Sequence, residues 1–510
     1  MNSWNEGYFT DSTYTYGYYR ELSPNFMRWC LLLNGIAAPE LTAESCHCEL
    51  GYGQGVSANI HAAATPGKFF ATDFNPAHAA HANELADASG ANAKFFEDSF
   101  EEFSKREDLP QFDSIGLHGI WTWVSAENRR HMLEVARRHL KSGGMLYNSY
   151  NCLPGWAPNA PLRELLTLYD KHAAQGNTNE RVKSALKFVE EMLAAEPIYA
   201  ARVPSFRTAL EQLQNKDAHY IAHEYLNLDW DLMYFADVAE LSQSAKLDFA
   251  ATAIPLESNR SLMPDKPRDF LNKIDNPIMR EQLRDYFINR QFRKDIYVRG
   301  VRRLSQLETH DKILSMRYVL MTPAAQVSTR FSTGFGDVTL SEEFYRPLLE
   351  HLESDNFRAK NLQEYAAQKN FDARAIVEAV TFLVNANHVM PCQSDASIRL
   401  VKKSCERLND YICGRAKFEE NIKFLASPLT GCGAVANRLQ QIFLAQYKSG
   451  DKSAEKLADA AWKIFLRQGQ AFTLNGMLLK TPEENLAHLK TLAEMFLTSD
   501  LPRFKALLIA

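Results

Sequence analysis

The sequence predicts an α/β protein in which a doubly wound sheet is joined to mostly helical parts. The first observation is length, because 510 residues correspond to about three to four domains of ordinary size. The second is composition: 46% hydrophobic and 23% charged residues are typical of a packed protein and exclude disordered and fibrous classes. The third is periodicity, because short apolar runs alternate with helical patterns from residue 24 to residue 155, as in βαβ units.

Five strands are predicted in the first part of the sheet. The carboxyl ends of parallel strands meet at one edge, where ligand-binding loops are found. Helices are predicted between them at Pro76–Ser89, with Asn75 as its cap, and at Ala126–Lys141, with Ser125 as its cap. The predicted strands are Ser45–Leu50, Lys68–Thr72, Ala93–Phe96, Phe112–Leu117 and Gly144–Ser149.

A run of amphipathic helices interrupts this pattern and predicts a helical insert over residues 156–217. Strand-like segments follow at Tyr220–Leu226 and Lys246–Ala253. We expect both to return to the sheet, so that the core comprises residues 1–155 and 218–256. The helices of the insert are predicted at Leu162–His172, Asn179–Ala195 and Ser205–Gln214.

The rest of the chain predicts a middle domain, residues 257–340, and a C-terminal domain, residues 341–510, after a polar linker at Ser258–Pro267. Between Pro277 and Leu304, eight basic residues stand against three acidic ones. A solvated helix with arginines paired to acids of a neighbouring domain is favoured there over a site for an anionic partner. The C-terminal domain begins with the spacing of a winged helix, with elements at Leu362–Ala367, Asp372–Asn385 and His388–Pro391.

Charge and cysteine content narrow the function classes. The net charge of −5 provides no global attraction to nucleic acid or to an anionic membrane. The cysteines lack a metal-binding spacing, and Cys46-His47-Cys48 is interpreted as a strand with buried thiols. The sequence has no signal-peptide pattern and no apolar run of about 18 residues. We therefore expect a cytoplasmic protein with no metal, no nucleic-acid partner and no membrane insertion.

The sharpest motif is an acid followed by three alternate glycines, Glu49-Leu50-Gly51-Tyr52-Gly53-Gln54-Gly55, directly after an apolar strand. Glycines there allow a tight turn and a close approach of the backbone to a ligand. A dinucleotide fingerprint needs a further glycine at the position of Val56. The spacing therefore disfavours NAD and FAD.

Polar residues also end the next strands. Asp73-Phe74 ends the second strand, where an acid can accept hydrogen bonds from ribose hydroxyls. Asp98-Ser99 ends the third strand and suits an adenine amino group, and His118-Gly119 ends the fourth. Each acid alone could be an exposed strand-end cap, and His118 could be a core histidine, but together these residues favour a cofactor site.

With the His118–Trp123 stretch, these residues resemble a class I S-adenosylmethionine-dependent methyltransferase over residues 24–155 and 218–256. The resemblance implies a Rossmann-like core with a seven-stranded doubly wound sheet. It also implies S-adenosylmethionine as the cofactor and S-adenosyl-L-homocysteine as its product. The implied cofactor contacts are Gly51, Gly53 and Gly55 along the methionine moiety, Asp73 on the ribose, Asp98 with Ser99 at adenine, Glu49 supporting the glycine loop and the ammonium end, and Phe74, His118 and Gly119 beside them.

Further runs are similar to bacterial methyltransferases with a methyltransferase regulatory domain, which include rickettsial protein lysine methyltransferases acting on outer membrane proteins. This resemblance spans nearly the full length and implies a helical dimerisation insert, a middle domain and a C-terminal domain around an open cavity. It implies a protein substrate, with outer membrane or surface proteins among the candidates, and a homodimer. The similar runs are Thr15–Pro24, Ser149–Trp156, His223–Leu226, Arg290–Asp295, Ser427–Gly433 and Gly469–Pro482.

Methyl transfer is one in-line displacement, so most of the rate comes from aligning the acceptor atom, the methyl group and the sulfur. A lysine ammonium, with a pKa near ~10.4, has no lone pair and must be desolvated or deprotonated. Catalytic candidates are Tyr150, Asn151 and Trp156 after the fifth strand, and His223 with Glu224 as a base and its partner. For both groups a purely structural role stays open.

The sequence therefore favours a protein lysine methyltransferase. Some of the N-terminal tyrosines, Tyr14, Tyr16, Tyr18 and Tyr19, are expected to cover the cofactor, and Tyr18 is assigned to its site. Methylation of a small molecule or a modified peptide is the alternative, with the accessory domains as dimerisation and lid parts. A non-catalytic cofactor sensor that binds DNA ranks below both, because Asp372–Asn385 contains a single arginine.

Overall fold

A seven-stranded sheet forms the centre of the protein, whose computed structural model describes residues 15–227, 229–259 and 262–510. The strands are β1 Cys46–Leu50, β2 Lys68–Thr72, β3 Ala93–Phe96, β4 Phe112–Leu117, β5 Leu140–Asn151, β6 Asp248–Thr252 and β7 Phe292–Val298. Their order is β3-β2-β1-β4-β5-β7-β6. The first five are parallel, and β7 runs antiparallel between β5 and β6. The predicted α/β class with a Rossmann-like sheet is confirmed.

Helices connect the first five strands as predicted, and local signals set their ends. The Asn75 side chain accepts a hydrogen bond from the N–H of Ala77 at the start of one helix, which ends at the left-handed Gly90. Ser125 caps the helix that connects β4 to β5. This helix ends at His139 rather than at Lys141, because β5 begins at Leu140. The helices are α1 Pro24–Leu33, α2 Val56–Ala64, α3 Pro76–Ser89, α4 Phe100–Lys105 and α5 Ala126–His139.

The helical insert packs around a small core of its own, built by residues such as Leu166, Val189 and Phe206. Its helices are α6 Ala160–His172, α7 Thr178–Ala194, α8 Ile198–Arg202, α9 Ser205–Gln214 and α10 Ala218–Tyr225. The last of these corrects the predicted strand at Tyr220–Leu226. Ile221 and Tyr225 lie four residues apart and are both buried in the insert core, which is helical spacing.

The strand that completes the sheet comes from farther along the chain than predicted. Lys246–Ala253 contains β6, as expected, but its partner β7 lies in the basic stretch that was assigned to a middle domain beginning at residue 257. The predicted boundary therefore does not coincide with the end of the sheet. Between β5 and β7 along the chain lie β6 and the helices α11 Phe235–Gln243, α12 Asp265–Leu271 and α13 Pro277–Ile288.

The arginines of this stretch pair with acids, mostly of the same stretch. Arg293 on β7 is 1% exposed. Its guanidinium donates to Asp295 at 2.8 Å, to Asp285 at 2.6 Å and to Glu281 at 2.8 Å. Tyr150 on β5 donates its hydroxyl to Asp295 at 2.8 Å. This buried charge cluster joins α13, β7 and β5.

A second arginine extends the cluster towards β6. Arg290 donates to Asp285 at 2.7 Å and, through two nitrogens, to Glu257 at 2.8 and 2.7 Å. Glu257 lies in the turn after β6, so the acids come from the chain around β6 and β7 rather than from a neighbouring domain. The arginine pairing was predicted correctly, and α13 is largely solvent-accessible, with Asp285 as its one buried residue. The neighbouring domain as the source of the acids was wrong.

The predicted winged-helix spacing is present in the C-terminal half. A three-stranded sheet, with Arg317–Leu320 between Lys360–Asn361 and Val389–Pro391, packs there with two consecutive helices, Leu362–Lys369 and Ala373–Asn385. The elements are α14 Gln306–Ser315, β8 Arg317–Leu320, β9 Arg330–Thr333, β10 Gly336–Thr339, α15 Glu342–Phe357, β11 Lys360–Asn361, α16 Leu362–Lys369, α17 Ala373–Asn385 and β12 Val389–Pro391.

The last part of the chain packs directly on the core helices. The Ser404 hydroxyl donates to the carbonyl of Ala63 in α2 at 2.6 Å, and one apolar core runs from α1 through the C-terminal elements. All eight cysteines are buried and free. The remaining elements are α18 Asp395–Arg415, β13 Phe424–Ser427, β14 Cys432–Val435, α19 Arg438–Lys448, α20 Ala454–Arg467, β15 Thr473–Leu474, β16 Met477–Leu478, α21 Pro482–Met495 and α22 Leu501–Ala506.

Within the described residues, each helix is either too short or too polar to span a bilayer.

Replacing Arg293 should destabilise the core strongly. Arg293→Ala leaves Asp285 and Asp295 buried with lost partners, and we expect a loss of about 3–5 kcal/mol in the free energy of unfolding. Urea denaturation followed by circular dichroism measures it. The control is Arg137→Ala, whose pair with Glu134 lies on the surface with the arginine side chain 53% exposed; it should cost under about 1 kcal/mol. Equal losses in the two variants would contradict a stabilising role for the cluster.

Candidate cofactor-binding cleft

The glycine turn after β1 forms one wall of a cleft at the carboxyl edge of the sheet. Gly51, Gly53 and Gly55 have positive φ of 73°, 55° and 71°, a conformation that other residues rarely adopt. A Cβ on Gly51 would lie 3.0 Å from the side chain of Ile120. The turn therefore requires glycine both for its backbone conformation and for space, and α2 begins directly after it.

Asp73 holds this turn from the end of β2. One carboxylate oxygen accepts the N–H of Gly53 at 2.8 Å. The other accepts the N–H of Asn75 and lies near Nδ1 of His78, both at 3.0 Å. An ionised carboxylate has about four acceptor positions. After these three contacts one position remains for a ligand hydroxyl in the cleft.

Glu49 contributes a buried carboxyl to the same cleft. It is 8% exposed and lines the cleft beside the glycines. Among the described residues it has neither a hydrogen-bond partner for its side chain nor an ion pair. Burial, with a smaller contribution from Asp73, raises the pKa of Glu49 to about 8. A cationic group entering the cleft would provide the missing partner.

The N-terminal segment, residues 15–22, forms the outer wall, with Thr15, Gly17, Tyr19 and Leu22 in the lining. The N–H of Tyr19 donates to Ser57 Oγ at 2.9 Å, which ties the segment to α2. The segment closes the cleft to a free volume of about 70 Å³.

His118 lies against this wall at the end of β4. Its ring stacks on Tyr19 with centroids 3.7 Å apart. Its Nδ1 lies 2.9 Å from the hydroxyl of Tyr147 and 3.1 Å from that of Ser149. Burial lowers the pKa of His118 to about 3, so the imidazole is neutral at neutral pH. It acts here as a neutral polar surface, because a group with that pKa is a poor base.

Most of the predicted cofactor residues meet in this cleft. The predicted cofactor residues that line the cleft are Glu49, Gly51, Gly53, Gly55, Asp73, Phe74 and His118. Their contacts with a cofactor remain predictions, but the fold brings them together as the strand-end argument requires.

Four predicted cofactor residues lie outside that lining. Tyr18 faces the C-terminal part, where its hydroxyl accepts the N–H of Gly433 at 2.6 Å, and its neighbour Tyr19 faces the cleft instead. Asp98 pairs with Arg106 at 2.9 Å. Ser99 caps α4, and the N–H of Gly119 donates to Ser149 at 2.9 Å. Tyr14 lies outside the described residues.

The predicted catalytic residues do not line the cleft where the structure describes them. Tyr150 belongs to the buried charge cluster, because alternation along β5 directs it away from Tyr147 and Ser149. The backbone N–H of Asn151 donates to Thr122 at 3.0 Å. For these two residues, a structural role fits the geometry better than catalysis.

The other predicted catalytic residues lie at the insert. Trp156 packs on Tyr225 and Trp230, with centroids 6.2 and 5.8 Å away. His223 and Glu224 are on α10, where burial raises the pKa of Glu224 to about 7, and the side chain of His223 lies outside the described residues. The predicted strand-end pair is therefore a pair of helix residues.

Four residues in or beside the cleft were not predicted from the sequence: Tyr147, Ser149, Ser57 and His78. The first two could have been found from the alternation of β5, since residues two apart share a face of the strand. Ser57 and His78 carry no such signal, because their roles depend on where the N-terminal segment and α3 pack.

Comparison with protein families matches two parts of the chain. A model described as a methyltransferase domain matches residues 48–144. This range contains the glycine turn and the acids Glu49, Asp73 and Asp98. A model described as a predicted methyltransferase regulatory domain matches residues 217–299, which end with β7.

Similar proteins extend the match to the full length. An uncharacterized protein of Synechocystis sp. is 35% identical over 98% of this chain and 98% of its own length. An uncharacterized protein of Rickettsia prowazekii is 26% identical over 58% of this chain and 53% of its own length. The solved structure of PKMT2 from Rickettsia typhi in complex with AdoHcy has a TM-score of 0.68 at 17% identity, covering 97% of this chain and 99% of that one.

The residues of the cleft fit S-adenosylmethionine, which supplies a methyl group on a positively charged sulfonium. Glu49 would hold the cationic amino end, because it is a buried carboxyl without a partner among the described residues. The glycine turn would lie along the methionine moiety, and the remaining acceptor position of Asp73 would take a ribose hydroxyl.

Substitutions at Asp73 and Gly53 should remove cofactor binding. Asp73→Ala removes the acceptor that holds the Gly53 N–H, and Gly53→Val places a branched side chain at a positive φ. We expect S-adenosylmethionine affinity to fall about 100-fold or more in both, measured by calorimetry. Asp108→Ala, a surface carboxylate that pairs with Arg106, is the control and should bind like the wild type. Unchanged affinity in both cleft variants would mean that the site is elsewhere.

Cofactor binding should release a proton from Glu49. With a pKa of about 8, the free carboxyl is mostly protonated at pH 7, and a bound cation favours its ionised form. Affinity should therefore rise with pH, by up to about tenfold per unit below the pKa, and level off above pH 8. Calorimetry in buffers of different ionisation enthalpy counts the protons. The Glu49→Gln variant is the control, because a proton lost by the cofactor's own amino group is still released there. An equal number of released protons in the wild type and in the variant would exclude Glu49 as the source.

Proposed function

The chain belongs to the class I S-adenosylmethionine-dependent methyltransferases that carry a methyltransferase regulatory domain, and from this premise we propose that it methylates lysine side chains of a protein substrate. The observation that carries the proposal is the likeness to PKMT2 over 97% of this chain, which includes the insert and the C-terminal parts. A small-molecule methyltransferase of this class needs little beyond the sheet and its helices. The accessory parts instead offer surface for a macromolecular acceptor.

The cleft supports an amine acceptor through its aromatic and neutral polar lining. Burial favours the uncharged form of an amine, which gives its proton to water as it enters the cleft and so has the lone pair that attacks the methyl group. The face of the Tyr19 ring that points away from His118 would attract the ammonium before it loses its proton, with a contribution of about 0.5–2 kcal/mol. Neutral His118, fixed by Tyr147 and Ser149, would orient the amine without carrying its proton.

The test is transfer of labelled methyl groups from S-adenosylmethionine to a lysate of cells that lack this protein. We expect the label in protein bands, and as methylated lysine after acid hydrolysis. Prior acylation of lysines in the lysate should abolish the signal, because an acylated amine has no available lone pair. Gly53→Val serves as the enzyme control.

Label recovered only in a low-molecular-mass filtrate would contradict the proposal and favour the small-molecule alternative. Label in protein that survives lysine acylation would contradict lysine as the acceptor while retaining a protein substrate.

A further inference from the structure

We propose that the protein has a second ligand site, separate from the cofactor cleft, which binds a small organic anion. The site is a cavity of about 470 Å³ between α1, α14 and the chain that follows β12. This volume lies within the range of about 300–1,000 Å³ that is usual for small-molecule pockets. It exceeds the space of about 70 Å³ beneath the N-terminal segment in the cofactor cleft.

The two sites are lined by different residues. Leu22, just before helix α1, lines the cofactor cleft. Asn25, Trp29 and Leu32, on the helix itself, line the second cavity. No residue is common to the two linings, so a ligand in this cavity would not compete directly with the cofactor.

Positive charge predominates in the cavity wall. Two carboxylates, Glu40 and Asp395, face four cationic side chains, although the whole chain has a net charge of −5. A local excess of positive charge in a concave site attracts anions. The cationic residues of the wall are Arg28, Arg302, Lys312 and Arg317.

Half of these cations are already paired. Arg28 lies 2.5 Å from Glu40, and Arg317 lies 2.5 Å from Asp395. The Nε of Arg28 is nevertheless buried and finds no hydrogen-bond acceptor among the residues that the structure describes. A buried donor without an acceptor costs free energy, and an anionic oxygen in the cavity would satisfy it.

The other two cations, Arg302 and Lys312, make no ion pair with any residue that the structure describes. The nearby carboxylate of Glu308 interacts with both through space, but it accepts hydrogen bonds from the N–H and hydroxyl of Ser305 at the start of α14. These two cations therefore remain available to a ligand, and their side chains are exposed enough to reach it.

The uncharged part of the wall combines four polar side chains, Asn25, Ser315, Gln393 and Ser394, with an apolar surface. The apolar surface indicates that the ligand has an apolar part beside its anionic group. Ile36, Leu32, Ala38 and Met316 line the cavity. Inorganic phosphate would leave this surface in contact with water. The chemistry therefore fits a carboxylate or phosphate attached to an apolar body of fragment to drug size.

The test is binding of phenyl phosphate and of benzoate to the full-length protein at about 0.1 M salt. Calorimetry and thermal unfolding should report one site, with a rise in melting temperature for either probe. In Arg302→Gln/Lys312→Gln, affinity should fall about tenfold or more. Both side chains are exposed, so the variant should fold like the wild type.

The matched control is Arg303→Gln/Lys463→Gln, which removes two exposed cations that do not line the cavity; it should bind both probes within about twofold of the wild type. Absence of binding, or equal affinity in the two double variants, would overturn the proposal. Equal affinity for inorganic phosphate and phenyl phosphate would overturn the organic part of the assignment. Cofactor binding measured on the same samples reports separately on the cleft.

Discussion

The buried charge cluster around Arg293 is the interaction on which the rest of the structure depends. A buried guanidinium needs carboxylates in contact with it, and here they come from α13 and from β7 itself. This requirement places β7 beside β5, where Tyr150 completes the cluster. The strand pairing in turn sets the register of β5, with Tyr147 opposite Ile296 and Ser149 opposite Lys294. These two β5 residues hold His118 in the cleft.

The face of β7 that points away from the charge cluster also contacts the cleft, through Lys294. Lys294 pairs with Glu21 at 2.7 Å, and Glu21 belongs to the N-terminal segment that closes the cleft. The part of the chain that matches the regulatory-domain model therefore contacts two sides of the cleft. Phe292 lies beside His118, with ring centroids 6.3 Å apart, and Lys294 pairs with Glu21 in the outer wall.

The N-terminal segment is held by successive residues that face different neighbours. Tyr18 bonds to Gly433 in the C-terminal part, Tyr19 stacks on His118, and Arg20 donates to the carbonyls of Val384 and Asn385 at 2.7 and 2.8 Å. The C-terminal elements thus hold the segment that forms the outer wall of the cleft, although the residues that line the cleft all lie between Thr15 and Val124. These elements also share one continuous apolar core with α1 and α2, so they pack on the sheet domain without a gap.

The sequence by itself determined the first five strands, the caps at Asn75 and Ser125, the glycine turn and the acid at Asp73, because each depends on residues close together in the chain. Only the tertiary structure decided that β7 closes the sheet, that Tyr19 rather than Tyr18 faces the cleft, and that Tyr150 is buried in an ion cluster. These outcomes depend on pairing between segments more than a hundred residues apart, such as Tyr150 with Asp295 or Tyr18 with Gly433. Local periodicity shows that a residue lies in a strand, but the partner that packs against each face decides what its side chain does.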